Sequence, residues 1–258
     1  NQLPINVVPN PLPADAADLP RKPFVEHLQD LRAALIWCLA CYAIGALICF
    51  PLVPWILGIL RKPLFWAGVA DTDFLRIFRV TDGFAVVMRV VGWGGLILGA
   101  PFILAGLVWF VFPALRKTER KQVVGSALTC VVLFIAGVAL AYRWILPLGL
   151  RWLIQLNAWI GVSGFIELEH YLRFMLQGMA AFGLAFQTPV VISMLGFMGI
   201  LTADQLRNKR RHAIVILMAI AAVLTPPDPW TMILLSVPMI VLYELCIIVV
   251  AASERRRV

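Results

Sequence analysis

Six long apolar blocks, separated by clusters of basic residues, constrain this chain more than any other feature of its sequence. A helix that crosses a bilayer needs about 20 consecutive apolar residues, because the hydrocarbon core is roughly 30 Å thick and each helical residue rises about 1.5 Å. The blocks run from Leu31 to Phe50, from about Phe84 to Phe112, from Val123 to about Leu146, from about Tyr171 to Met198, from His212 to Leu224 and from Trp230 to Ala252. Inside lipid every backbone N–H and C=O must find its partner within the protein, which favours helices for apolar runs of this length. Hydrophobic residues make up 62% of the chain and charged residues only 14%, a balance far from that of a soluble domain. The expectation is an all-α, polytopic membrane protein with six transmembrane helices. The fifth block holds about 13 residues and covers only about 20 Å, less than the hydrocarbon thickness.

Lys and Arg stay on the cytoplasmic side of short loops, so their distribution orients the blocks. One alternating set of segments carries Arg21, Lys22 and Arg32, then Arg116, Lys117, Arg120 and Lys121, then Arg207, Lys209, Arg210 and Arg211, and finally Arg255 to Arg257, which is most of the 22 basic residues. The other set, with Arg61, Lys62, Arg76 and Arg79, is sparser per residue, and the "TPPDPW" connection has none. Both termini are therefore expected in the cytoplasm. Residues 1–25, rich in proline and polar groups and without an apolar core, read as a flexible cytoplasmic lead-in. Residues 26–252 form the six-span membrane domain, and 253–258 a basic cytoplasmic tail.

Several functions are disfavoured at this level. The net charge of +8 comes from residues flanking spans, not from a folded basic domain with interleaved aromatics, so no nucleic acid is expected. Cys38, Cys41, Cys49, Cys130 and Cys246 all lie in apolar runs, where cysteine behaves as a small hydrophobe. His27, His170 and His212 have no metal-like spacing, and no phosphate-cradling glycine loop is present. Neither a metal, a cofactor nor an enzymatic activity is expected.

Polar residues that break the apolar pattern are the informative ones, since they are costly in lipid and usually functional. They are Asp30, Arg89, Arg143, Gln187 and Glu244. Asp30 opens the first span one helical turn after Glu26, a spacing that puts both carboxylates on one face, where they also complement the helix dipole. Gln187 stands in "AFGLAFQTPVV" two residues before Pro189. Pro189 has no N–H for the carbonyl of Ala185, so the fourth block is expected to kink there. Gln187 then has two readings: its amide satisfies backbone groups freed by the kink, or it faces the concave side of the bundle as a hydrogen-bonding station, with Ala180 and Gly183 leaving room for a partner helix.

Taken together and in order, the motifs resemble one family. "HLQDLR" at 27–32 is similar to the H-L-x-E-L-R that opens the TatC proteins, the polytopic subunits of the twin-arginine protein translocase. "FVFPALRKTERK" at 110–121 resembles their first cytoplasmic loop, "FGLAFQTPVVI" at 182–192 their F-G-x-x-F-E-x-P signature, "LTPPDP" at 224–229 their last periplasmic turn, and "PMIVLYE" at 238–244 their sixth span.

The resemblance implies a bacterial inner-membrane receptor that binds the twin-arginine signal peptides of folded cargo. It further implies that the receptor assembles with itself, with membrane lipids and with TatA- and TatB-like single-span subunits into a pathway driven by the proton-motive force. Carried over position by position, it assigns signal-peptide binding to Asp30 and Glu119, with His27 and Arg32 in the same motif. It assigns partner docking within the membrane to Gln187 and Glu244, and the last periplasmic loop to Pro226, Pro227 and Asp228. The chemistry is reasonable, because a guanidinium presents a planar fork that a carboxylate accepts bidentately. Two positions depart from the family pattern: Asp30 is one methylene shorter than the usual Glu, and Gln187 replaces a Glu, so no proton can pass through this side chain. The competing reading is a proton- or ion-coupled secondary transporter of a small solute. It would call for repeated halves and paired ionisable groups near the midplane, of which Glu244 is the one clear acidic candidate.

Overall fold

The computed structural model describes residues 24–69, 75–111, 120–161, 165–197, 201–224 and 229–255. Nine α-helices are found among them: α1 (Phe24–Trp66), α2 (Asp82–Val111), α3 (Arg120–Leu140), α4 (Leu146–Trp159), α5 (Leu168–Ala185), α6 (Thr188–Phe197), α7 (Ala203–Asn208), α8 (Arg210–Leu224) and α9 (Pro229–Arg255). A π-helical turn, Ala141–Ile145, joins α3 to α4, so the third apolar block continues well past Leu146. Two short strands, β1 (Leu75–Arg76) and β2 (Ile166–Glu167), pair in parallel, with Leu75 opposite Ile166 and Arg76 opposite Glu167.

Among the described residues, five apolar helical stretches are long enough to cross a membrane: Leu28–Trp66, Asp82–Val108, Ala127–Trp159, Leu168–Gly196 and Met232–Ala252. The remaining block forms α8, whose 15 residues cover only about 22 Å. The fifth block is thus helical and short, as expected, but it is not among the stretches long enough to cross, so five spans and not six meet that length.

The first helix runs 16 residues beyond the end that the apolar pattern suggested at Phe50, over Pro51, Pro54 and Pro63. Proline removes a backbone donor and crowds the preceding turn. In a membrane protein the freed carbonyl can be taken up by a neighbouring helix. Here the hydroxyl of Tyr142, on the π-helical turn, donates to the carbonyl of Ile59 at 2.8 Å. The hydroxyl of Tyr171 donates to the next carbonyl, that of Leu60. Arg143 lays its guanidinium over the Trp66 ring, 4.4 Å from its centroid. The π-helical turn therefore aims two polar side chains at the end of α1.

Helices α1 and α2 meet backbone to backbone. A Cβ on Gly45 would lie 2.5 Å from the Gly95 carbonyl oxygen, and one on Gly95 would lie 2.7 Å from the Ala46 Cα. Small residues at such a contact let van der Waals packing replace the hydrophobic drive that lipid does not supply between helices. The core forms around α5 and α9, where Leu172, Met175, Leu176 and Phe182 are fully buried, as are Leu235, Met239, Ile247 and Val250. Large apolar side chains such as Leu39, Leu47 and Ile248 point outward, as a lipid solvent allows. All five cysteines are free thiols within helices, in line with a packing role.

Candidate functional site

Polar side chains gather at three heights of the helical bundle. At the end that carries α1's first turns, Asp30 is half-buried and Arg32 is exposed. His27 lies on the same helix, but its side chain is outside what is described, and Glu119, Pro226, Pro227 and Asp228 lie outside the described residues altogether. The structure therefore places Asp30 and Arg32 about two turns into α1, at the end that the positive charge marks as cytoplasmic.

The same end holds Glu244, which the apolar pattern placed within the sixth span. Its carboxylate accepts from the guanidinium of Arg210 at 2.7 Å, and both side chains are exposed. Arg210 opens α8 beside Lys209 and Arg211, so Glu244 is balanced by the basic cluster and does not stand as a lone acid at mid-membrane. Helix α7 is fixed alongside. Tyr243 donates to the Leu206 carbonyl at 2.9 Å, the Ala203 N–H donates to Glu254 at 3.0 Å, and Thr202 with Gln205 closes a capping box at the helix start.

In the middle of the fourth block the helix breaks at Phe186 and Gln187, three and two residues before Pro189. The N–H of Gln187 turns from the Gly183 carbonyl to that of Leu184, at 2.9 Å. The side-chain amide replaces it: Nε2 of Gln187 donates to the Gly183 carbonyl at 3.3 Å and to the Cys130 carbonyl of α3 at 3.2 Å. Gln187 is 8% exposed, and its Oε1 is buried with no partner among the described residues. The two readings of this residue therefore meet in one side chain. Its donor half repairs the kink and ties it to α3, while its acceptor half is unused. The space beside Gly183 is filled by the Phe134 ring of α3, which a Cβ on Gly183 would meet at 2.6 Å. Room for a partner helix at that glycine is thus already taken by the chain's own α3.

At the opposite end the starts of α2 and α5 form a charged cap that the list of interrupting residues only half contained. Arg89 donates to the Glu169 carboxylate at 2.7 Å and to the Glu169 carbonyl at 3.3 Å, with the two side chains 18% and 19% exposed. Arg173 approaches the same carboxylate at 3.6 Å, and His170 lies 2.7 Å from Glu167. Asp82 is buried, and its Oδ2 accepts the N–H groups of Phe78 at 3.2 Å and Arg79 at 2.8 Å. Carboxylate oxygens of Asp82, Glu167 and Glu169 come within 4.8 Å of one another. Mutual repulsion at that distance is offset by the arginines and by the two amides on Asp82. Glu169 was findable from the sequence, because Arg89 in an apolar run needs an acid, and "IELEH" opens the next segment on the same side.

The family described as "Sec-independent protein translocase protein (TatC)" matches residues 26–238. A TatC protein of Aquifex aeolicus is 29% identical over 236 residues, covering 91% of this chain and 97% of its own. One from Carboxydothermus hydrogenoformans is 32% identical over 225 residues, covering 87% and 90%. Among solved structures, the twin-arginine translocase receptor TatC crystallised in DDM superposes with a TM-score of 0.77 at 30% identity, over 86% of this chain and 98% of that one.

Proposed function

This chain belongs to the TatC family of Sec-independent protein translocase proteins, and on that premise we propose that it is the receptor and scaffold on which a twin-arginine translocase assembles. It is a multi-pass protein of the bacterial inner membrane and not an enzyme. The observation that carries this reading is the similarity to a twin-arginine translocase receptor over nearly the whole fold. Twin-arginine signal peptides of folded cargo bind at the cytoplasmic end of α1, with Asp30 and Glu119 accepting the arginine pair and His27 and Arg32 shaping the surface around them. Half-burial of Asp30 supports this role, since a carboxylate partly withdrawn from water is screened less and attracts a guanidinium more strongly. Single-span subunits of the TatA and TatB kind join along the bundle, near Gln187 and near Glu244. The proton-motive force drives the assembled pathway without a proton passing through Gln187.

The transporter alternative loses its main support in the Arg210–Glu244 pair, which removes the one acidic candidate from mid-membrane. Titration of a twin-arginine peptide into the full chain in nanodiscs, against a twin-lysine control, tests the receptor reading. Asp30→Ala or Glu119→Ala should each lower affinity by about one to two decades, the loss of one charge-assisted hydrogen bond of roughly 1.5 to 3 kcal/mol. Unchanged affinity in both folded variants removes these residues from the site, and equal binding of the twin-lysine peptide removes the receptor reading itself.

A further inference from the structure

We propose that the segment Ile77–Phe84, which leads from β1 into the first turn of α2, is a phospholipid-binding rim that rests in the headgroup layer of the outer leaflet, with Arg79 holding lipid phosphate. Height in the membrane comes first. From Val111 at the cytoplasmic end of α2 to Arg89 is 22 residues, about 33 Å, close to the roughly 30 Å of hydrocarbon. From Val123 to Tyr142 along α3 is 19 residues, about 28 Å, and reaches the same boundary. Arg89 is bonded to Glu169 at the start of α5, and β2 directly precedes that start and pairs with β1. Phe84 lies five residues outward from Arg89, about 7 Å, and so falls within the polar headgroup layer.

The segment is held open toward that layer. Buried Asp82 takes the N–H groups of Phe78 and Arg79, and its own N–H donates to the Arg79 carbonyl at 3.1 Å, which fixes the shape of the turn. Among the described residues, none covers its apolar side chains. Ile77, Phe78 and Phe84 are more than half exposed and Val80 is wholly so. Phe84 and Met88 carry the same exposed surface on into the second span, making the rim continuous with the lipid-facing wall. A rigid apolar patch of this kind on a soluble surface would call for a partner. At this height the partner is lipid.

Charge completes the fit. Arg76 is stacked over Phe165, 3.5 Å from the ring centroid. Arg79 is exposed and forms no ion pair among the described residues, and the nearest buried acid, Asp82, is occupied by backbone amides. An arginine among exposed apolar groups at an interface buries its stem and offers its guanidinium to phosphate, which it can hold bidentately. Bound this way, the cap is anchored to the outer leaflet and fixes the tilt of the long helices α1 and α2.

The test uses the full chain, with its five native cysteines replaced by alanine, carrying a nitroxide at Val80→Cys in phospholipid nanodiscs. Leu39→Cys, on the exposed wall of α1, is the lipid control, and Asp204→Cys, on α7, the water control. The Val80 label should show an oxygen-to-nickel-chelate ratio between those at Leu39 and Asp204. A ratio like that at Asp204 overturns the rim, and so does spin–spin broadening between labels, which would make the segment a contact between two copies. In maltoside micelles titrated with phosphatidylglycerol, Arg79→Gln should weaken lipid retention by native mass spectrometry on the order of tenfold, with Arg79→Lys restoring part of it. Equal retention by all three proteins overturns the phosphate contact.

Discussion

The hydroxyl of Tyr142 donates to the carbonyl of Ile59, the residue whose helical partner four positions on would be Pro63. A proline that would end the helix is thus accommodated by a side chain from the third block, and α1 continues to Trp66. Removing the hydroxyl leaves a part-buried acceptor unpaired at a cost of about 1 kcal/mol. Tyr142→Phe should therefore lower the thermal melting temperature in detergent, and the Tyr142→Phe, Tyr171→Phe double variant should lower it further. Melting curves that coincide with the parent's would show that water or lipid groups serve these carbonyls equally well.

The Arg89–Glu169 pair ties α2 to α5 with both side chains largely covered, so it should couple more strongly than a surface ion pair. A double-mutant cycle with Arg89→Leu and Glu169→Leu should return a coupling of about 1 kcal/mol or more, because either single change strands a half-buried charge. Arg173 softens the loss when Arg89 is removed, since it approaches the same carboxylate. Additive single effects would mean that the pair contributes nothing as a pair.

These two contacts mark where the sequence was legible and where it was not. The break at Gln187 could be read from Pro189, because the missing N–H is a local, covalent fact. The prolines at 51, 54 and 63 carry the same local signal and yet the helix passes through them. At Pro63 a hydroxyl some 80 residues away takes up the freed Ile59 carbonyl, and no window of sequence contains both partners. The π-helical turn that aims Tyr142 was equally hidden, since an inserted residue leaves an apolar pattern unchanged. In the candidate site, the depth of Gln187 and the placement of Asp30 were legible from their positions in apolar runs. The salt bridge to Glu244 was not, because Arg210 reaches it from a neighbouring helix.

Topology gives a direct test of the charge distribution. Cysteines replacing Lys209 and Asp228, in a chain whose native cysteines are replaced, should react with an impermeant maleimide on opposite faces of the membrane. Labelling of position 209 and not 228 in intact cells would reverse the orientation and with it the assignment of the signal-peptide face.

Helix α8 leaves a wall about 8 Å short of the hydrocarbon thickness. Mismatch of this size is met by local thinning of the bilayer at fractions of a kcal/mol per Å. A thinned patch beside the receptor would ease cargo passage. Four leucines inserted after Ile216 add about 6 Å and should reduce export of a twin-arginine reporter while leaving peptide binding intact. Full export by the lengthened chain would detach the short helix from transport.

Gln187 allows its structural and functional parts to be separated. The amide nitrogen serves Gly183 and Cys130, so Gln187→Leu removes the donor from two carbonyls and should destabilise the fold by about 1 to 3 kcal/mol, read as a lower melting temperature. Gln187→Met keeps the length and loses the same donor, and should match leucine if the kink is all that matters. The acceptor half is read differently: a cysteine at 187 should crosslink to a single-span subunit during export, since Oε1 has no partner within the described fold and a bond there would satisfy it. Bonds between membrane helices average only about 0.6 kcal/mol, so docking at this point would be reversible, as repeated transport cycles require. A destabilised leucine variant with no crosslink from position 187 would leave the residue with the kink alone, and partner docking would have to be sought elsewhere, beginning with the exposed pair Arg210 and Glu244.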